Sequence, residues 1–213
     1  MGVRGPPSCA VSEIGLFPLP IVLLPTEQVP LHVFEERYKE LIGECVADAR
    51  EFGFVYADDD GLREVGTRAS VTEVLARFDD GRMNVLVEGG DRFKLLALTS
   101  GRVFQTGDVE TVVDEDDSPE RESVERALAL FERLRELTGS DVEAPSPQPA
   151  QLSYALAARV ELVPQVKQEL LQETSERTRL DRVCDLLDEA TASVERQRHA
   201  AERASSNGKV ELA

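Results

Sequence analysis

The 213-residue chain has no tryptophan, two histidines, two methionines and three cysteines, and these shortages close several routes. Cys9, Cys45 and Cys184 are an odd, scattered set. None belongs to a C-x-x-C pair or lies near a His at ligand spacing, so neither a disulfide framework nor a zinc site is expected. A reducing, cytoplasmic setting is the corresponding expectation. No apolar run reaches about 18 residues and no charged-then-apolar leader opens the chain, so neither a membrane span nor secretion is expected. Also missing are a G-x-x-x-x-G-K-[ST] loop, a G-x-G-x-x-G turn opening a helix after a strand, a G-x-S-x-G elbow and an H-E-x-x-H pair. Of the two histidines, His199 lies in a charged tail, so any metal cluster or His-based triad would have to form around His32 alone. The expectation is a non-enzyme with no catalytic residue, no metal and no cofactor.

Basic charge is in deficit as well. The formal charge is −17, and the first 117 residues carry 23 acids against 11 bases. A nucleic-acid binder needs a basic stripe to neutralise phosphates, and here Lys and Arg are interleaved with Asp and Glu throughout. Nucleic acid and anionic membrane surfaces are both disfavoured as partners. Asp58-Asp59-Asp60-Gly61 resembles a calcium loop only in passing, because Ala69 stands where the twelfth-position acid would be. A solvated turn is the simpler reading.

What is present is a β-then-α order. Residues 1–12 are rich in Gly and Pro and read as a disordered arm. The stretch "LFPLPIVLLPTEQVPLHVFEERY", Leu16 to Tyr38, is apolar but interrupted by Pro18, Pro20, Pro25 and Pro30, which exclude a helix and leave short extended pieces "IGLF", "IVLL" and "VPLHVF". Phe34, Tyr38, Leu41, Ile42, Cys45, Val46 and Ala49 then follow helical spacing, one face of a helix lying on a sheet. Residues 52–113 read as strands: "FGFVYA", "ASVTEVLARF", "RMNVLVE", "RFKLLAL" and "VFQTGDVETVV". A hairpin turns at Asp79-Asp80-Gly81, and a tight turn is expected at Gly89-Gly90. After Asp114–Asp117, Ser118-Pro119 begins a helical half, with helices expected at about 119–138, 150–162, 164–173 and 175–198. Residues 199–213 read as a frayed tail. Segregation of this kind argues α+β, with a β subdomain at 13–117 and a helical bundle at 118–198. The half-apolar, proline-stiffened opening segment could also dock an extended peptide, with Pro18, Pro20, Thr26, Gln28 and His32 as candidate contacts.

Those same residues carry a resemblance. Leu16-Phe17-Pro18-Leu19, Pro30-Leu31-His32-Val33-Phe34-Glu35 and Arg37-Tyr38 resemble the opening signature of the Lon N-terminal (substrate-binding) domain family. "EVGTRASVTEV" at Glu64–Val74, "DGRMNVLVEGGDRFKLL" and the later helices from "LSYALAARVELVPQVKQELL" onward resemble further family motifs in order. Glu36 departs from a common proline, and Arg68 stands where an aliphatic residue is frequent. The resemblance implies a small PUA-like antiparallel β-barrel with one inserted helix, followed by a C-terminal helical bundle. It implies binding of unfolded or exposed protein segments, or service as an adaptor for a protease or chaperone, without the AAA+ and protease domains of full Lon. Phe34, Glu35, Arg37 and Tyr38 form the motif expected to lock helix to barrel. An RNA-binding role, known among PUA-like barrels, is the alternative that the charge opposes. Oligomeric state is not legible.

Overall fold

The computed structural model describes residues 11–146 and 151–207; residues 1–10 of the expected arm and the last six residues of the expected tail lie outside them. Seven strands and five helices follow in the order β1 (Ser12–Leu19), β2 (Gln28–Val33), α1 (Glu36–Asp48), β3 (Phe52–Asp58), β4 (Gly61–Leu62), β5 (Val65–Arg77), β6 (Met83–Thr99), β7 (Thr106–Thr111), α2 (Arg121–Thr138), α3 (Leu152–Ala157), α4 (Pro164–Gln172) and α5 (Glu176–Asn207). The class is α+β.

The strands run β1-β7-β6-β5-β3, and β1 also pairs with β3, so the sheet returns on itself as a ring. The ring is not a clean antiparallel barrel. The β1–β3 pairing is parallel, with Phe17 opposite Phe54, while β2 lies along β6 and β4 along β3 outside the ring path. Alternation fills the interior: Met83, Val85 and Val87 of β6 point inward with Leu31 and Val33 of β2. They join Phe17, Phe52 and Phe54 and the buried face of α1, made of Tyr38, Leu41, Ile42 and Cys45, in one apolar cluster. A second cluster gathers Ile14, Leu16, Val55, Phe93 and Val109. Each large side chain so buried contributes about 1.5–3 kcal/mol by transfer from water.

Where the chain departs from expectation, the cause is local. "IVLL" is not a strand: Val22, Leu23 and Leu24 are buried in a loop. Side chains satisfy that loop, Leu24 N–H donating to Glu27 Oε2 (2.9 Å) and Thr67 Oγ1 to the Leu23 carbonyl (2.6 Å). α1 starts at Glu36, so Phe34 precedes the helix and is exposed instead of joining its core face. The turn expected at Gly89-Gly90 is absent; β6 runs straight through it. β7 is shorter than expected, Val103 and Phe104 preceding it in the loop.

Contacts divide the described chain into two compact units, one of residues up to Glu115 together with Val160–Thr174, the other of Asp116–Arg159 and residues from Ser175 on. This differs from the division expected at residue 117, because α4 belongs with the sheet. Pro164 opens α4 at its first turn. Gln165 Nε2 then donates to Tyr56 Oη (3.1 Å), Gln168 Nε2 donates to the Val65 carbonyl (3.0 Å), and Lys167 pairs with Glu27. Arg92, 4% exposed, closes the same helix from β6. Its Nη1 donates to the carbonyls of Leu171 (2.8 Å) and Glu173 (2.7 Å), and its Nη2 pairs with Asp114. Those carbonyls are among the ones a helix end leaves without an internal partner.

In the second unit α2 begins after Glu120, not at Ser118-Pro119, and ends at Gly139 in the left-handed conformation. Ala127, Phe131 and Leu134 of α2 are buried, as are Leu180, Val183, Cys184, Leu187 and Thr191 of α5. Arg126 pairs with Asp188 (3.2 Å) and Arg133 with Glu195 (2.7 Å), a constant offset that makes the two helices run parallel. α3 is shorter than the helix expected at 150–162. α5 continues to Asn207, so residues 199–207 are helical where fraying was expected.

Candidate functional site

The outer face of β2, β6 and β5 is built in cross-strand rows. His32 faces Asn84 and Asn84 faces Ala76; Pro30 faces Leu86 and Leu86 faces Glu73; Gln28 faces Glu88 and Glu88 faces Ser70. Side chains alternate across a strand, so the buried residues of these strands commit these rows to the outside. Gln28 Nε2 donates to Glu88 Oε2 (2.6 Å). His32 Nδ1 lies 2.6 Å from Asn84 Oδ1. An amide oxygen only accepts, so Nδ1 is the donor of this bond.

Three aromatic rings meet at one end of this face. His32 stacks against Phe34 with centroids 5.9 Å apart and meets Phe78 edge-on at 6.3 Å. Phe34 is 59% exposed and Phe78 43%; Leu75, at a bulge in β5, is 50% exposed. The hairpin turn fixes Phe78. Its N–H donates to the Arg82 carbonyl (2.9 Å), Gly81 adopts φ +80°, and the Arg82 guanidinium sits 5.3 Å over the phenyl ring. Asp80 accepts from the Arg82 N–H (3.1 Å) and Nε (2.6 Å), which with the Arg82 charge hold its carboxyl below the ordinary range. From Ser70 onward β5 pairs with β6 alone among the described residues, leaving one strand edge open.

The sequence-derived candidates are divided by this geometry. Gln28 and His32 lie together on the face. Pro18 stands in β1 opposite Val55, Pro20 follows the end of β1, and Thr26 (φ +66°) is a turn residue whose N–H donates to the Gly89 carbonyl (2.8 Å). In the motif Phe34-Glu35-x-Arg37-Tyr38, Glu35 and Arg37 form an exposed ion pair at 2.8 Å. Arg37 lies 4.6 Å over the Tyr38 ring, and Tyr38 stacks on Phe17 at 4.2 Å. Phe34 points outward. Sequence reading missed Phe78, Asn84, Leu75 and Pro30; the available signal was an unpaired aromatic immediately before the Asp79-Asp80-Gly81 turn.

A separate cleft of about 200 Å³ opens between the last turns of α1, β1 and the loop before β7. Ile14, Leu41, Cys45, Phe104 and Thr106 are its buried lining, and Glu13, Glu44, Glu51, Arg50 and Arg102 are its more exposed residues. Burial, and then the charge of Glu44, push the Cys45 thiol from 9.0 up to about 11. Alkylation of Cys45 by iodoacetamide, followed by mass spectrometry of its peptide, should therefore keep accelerating as pH rises past 9, because the thiolate is the nucleophile. A plateau near pH 9 would show an unperturbed thiol. Among the described residues no group of His, Cys, Asp and Glu could hold a metal ion, and no helix is long and apolar enough to cross a membrane.

Residues 13–189 match the model of the ATP-dependent protease La (LON) substrate-binding domain. The chain is 26% identical over 180 residues to Lon protease 1 of Hydrogenovibrio crunogenus, covering 76% of this chain and 22% of that protein. It is 27% identical over 197 residues to Lon protease of Paraburkholderia phytofirmans, covering 83% and 24%. It thus spans under a quarter of the length of these relatives. A Lon N-terminal domain protein from Xanthomonas campestris shares the fold at TM-score 0.64 and 26% identity, over 81% of this chain and 96% of that one. The N-terminal domain of Mycobacterium avium complex Lon protease, at 18% identity, shows the fold alone, with TM-score 0.63 over 83% and 98%.

Proposed function

Because this chain belongs to the Lon substrate-binding domain family, we propose that it binds exposed, extended segments of other proteins on the outer face of β2, β6 and β5, and carries out no chemistry itself. The observation that carries this is the cluster of Phe34, His32 and Phe78, in which both phenyl rings contact the imidazole and stay exposed, Phe34 more than Phe78. Exposing two phenyl rings on either side of one imidazole, just beyond the ends of β2 and β5, forfeits burial that the fold could have used, and such patches mark docking surfaces. A stiff, preformed face loses little entropy on binding, and the open edge of β5 offers backbone groups to an extended chain. His32 places a polar ring edge between the two phenyl groups. The bound segments would be clients that a protease or chaperone goes on to process. A reducing, cytoplasmic setting belongs to the same proposal.

The test is fluorescence anisotropy of a labelled, permanently unfolded polypeptide titrated with the full chain. Saturable binding that tolerates salt is expected, since apolar contact dominates the patch. Replacing Phe34→Ser and Phe78→Ser together should weaken it about tenfold or more, as expected when central aromatic anchors are removed. Unchanged affinity in that variant, or binding abolished by moderate salt, would place recognition elsewhere.

A further inference from the structure

We propose that the cleft beside the end of α1 is a subsite for an arginine side chain of a bound segment. Its role as a subsite rests on the proposed binding of client segments; its chemistry rests on four features of its own. First, the size is right for one side chain: about 200 Å³ lies below the roughly 300–1,000 Å³ of small-molecule pockets. Second, most of the buried lining is apolar: Ile14, Leu41, Cys45 and the phenyl ring of Phe104, with Thr106 the one polar member. Gly15 makes that lining possible, since a Cβ there would stand 2.4 Å from Leu41 Cδ1 and 2.9 Å from Phe104 Cε2. Third, acids outnumber bases at the mouth: Glu13, Glu44 and Glu51 line it against Arg50 and Arg102, Glu13 also accepting from Thr99 Oγ1 (2.7 Å). The last turn of α1, beside it, carries no basic residue. A helix C-terminus favours cations, so the backbone adds to the carboxylates.

The fourth feature is an occupant. Arg102, carried on the loop after β6 next to Gly101 (φ +119°), places its guanidinium 4.7 Å over the Phe104 ring and pairs it with Glu44. Those are the two contacts an incoming arginine would make: a ring face below and a carboxylate at the side. Arg102 is 44% exposed by its side chain and Glu44 40%, so the pair is held at the surface and can be exchanged. Arg50, the other base at the mouth, lies 3.4 Å from Asp48. Arg102 thus fills by intramolecular contact a position that a client arginine would take, and it sets the threshold for entry. A neutral side chain of the same shape loses the charge attraction to the carboxylates and the cation–π attraction to the ring.

The experiment is a titration of the full ¹⁵N-labelled chain with acetyl-arginine amide and, separately, with its neutral isostere acetyl-citrulline amide. Amide shifts at Gly15, Glu44, Cys45 and Phe104 should saturate with the first and not with the second. Arg102→Ala should tighten the arginine probe by roughly three- to tenfold, the weight of one exposed ion pair and one exposed cation–π contact. Glu44→Gln should weaken it. No saturable shift at the cleft in Arg102→Ala, or equal responses to arginine and citrulline, would overturn the subsite. Unfolded-polypeptide binding in the same variants separates the two readings. If it persists while the cleft stays silent, only this inference falls. If it is missing while the cleft saturates, the cation site stands and the client reading falls.

Discussion

Gly89→Ala should destabilise the sheet unit by about 3 kcal/mol or more, whereas Gly90→Ala, one residue on, should cost less than about 1 kcal/mol. A Cβ at Gly89 would sit 2.2 Å from the Leu24 carbonyl oxygen and 3.0 Å from its carbon, both backbone atoms that cannot swing aside. At Gly90 the nearest atoms are the Arg68 carbonyl oxygen at 3.4 Å and Glu51 Oε1 at 3.6 Å, ordinary contacts. Overpacking usually costs about 1–3 kcal/mol. The Gly89 case goes further because the approach is secured by hydrogen bonds on both sides: Thr26 N–H to the Gly89 carbonyl (2.8 Å) and Gly89 N–H to the Glu27 carbonyl (2.9 Å). Moving Leu24 away to admit a methyl group stretches both and disturbs the buried loop that Glu27 organises. Urea unfolding read by hydrogen exchange at β6 amides would measure the pair. Equal costs for the two variants would refute the idea that loop proximity selects glycine here.

The same residue shows where the sequence was legible and where it was not. Two adjacent glycines between apolar strands suggest a turn by local chemistry, and nothing local reveals a loop from far earlier in the chain pressing on the strand. Gly in a strand can instead mark close approach of another backbone, and that reading wins here. Elements whose cause is local were legible: the spacing of Tyr38, Leu41, Ile42 and Cys45 sets α1, the Asp79-Asp80-Gly81 turn sets the β5–β6 hairpin, and Pro164 opens α4. Elements whose cause is tertiary were not. "IVLL" has strand composition but becomes a loop because Glu27 and Thr67 satisfy its backbone. α4 joins the sheet through Gln165, Lys167 and Gln168, polar residues that a hydrophobic pattern assigns to solvent.

The candidate face was half legible for a related reason. Gln28 and His32 are read correctly as outward residues of β2 by alternation. Phe34 was assigned inward because it falls in phase with α1, yet the helix starts two residues later and the phase does not apply. Phe78 joins the site only because the hairpin folds β5 back beside β6, across which β2 pairs. Such clusters assembled from three strands have no signature in any one of them, and proline content alone pointed to Pro18 and Pro20, which lie elsewhere in the sheet unit.

In the helical unit, Arg179→Met and Glu176→Gln should each destabilise by about 3–5 kcal/mol, and the double variant by clearly less than their sum. Arg179 is 0% exposed and Glu176 4%, a charge pair at the start of α5 with no access to water. Arg179 Nη2 donates to Glu176 Oε2 (2.6 Å) and its Nε to Ser153 Oγ (3.1 Å), while its guanidinium lies 4.2 Å from the Tyr154 ring centre. Glu176 also accepts from Ser153 N–H (3.0 Å) and Oγ (2.6 Å), so it fastens α3 to α5. Removing either charge strips the other of this 2.6 Å contact while it stays buried, which is the expensive outcome. Removing both avoids that penalty, and the amide oxygen introduced by Glu176→Gln would still accept from the Ser153 N–H. Positions 176, 179, 180, 183 and 187 share one helical face, so the sequence places two charges in phase with the apolar ridge. Burying them as a hydrogen-bonded pair makes this tolerable. Because the chain has two units, a single global transition is not assured, and exchange protection of the amides in Leu152–Ala157 and the first turns of α5 reports the local free energy directly. Additive costs, or single-variant costs below about 1 kcal/mol, would show that the pair is screened and contributes little; strong coupling would show that a desolvated ion pair, more than apolar area alone, fixes the junction of α3 and α5.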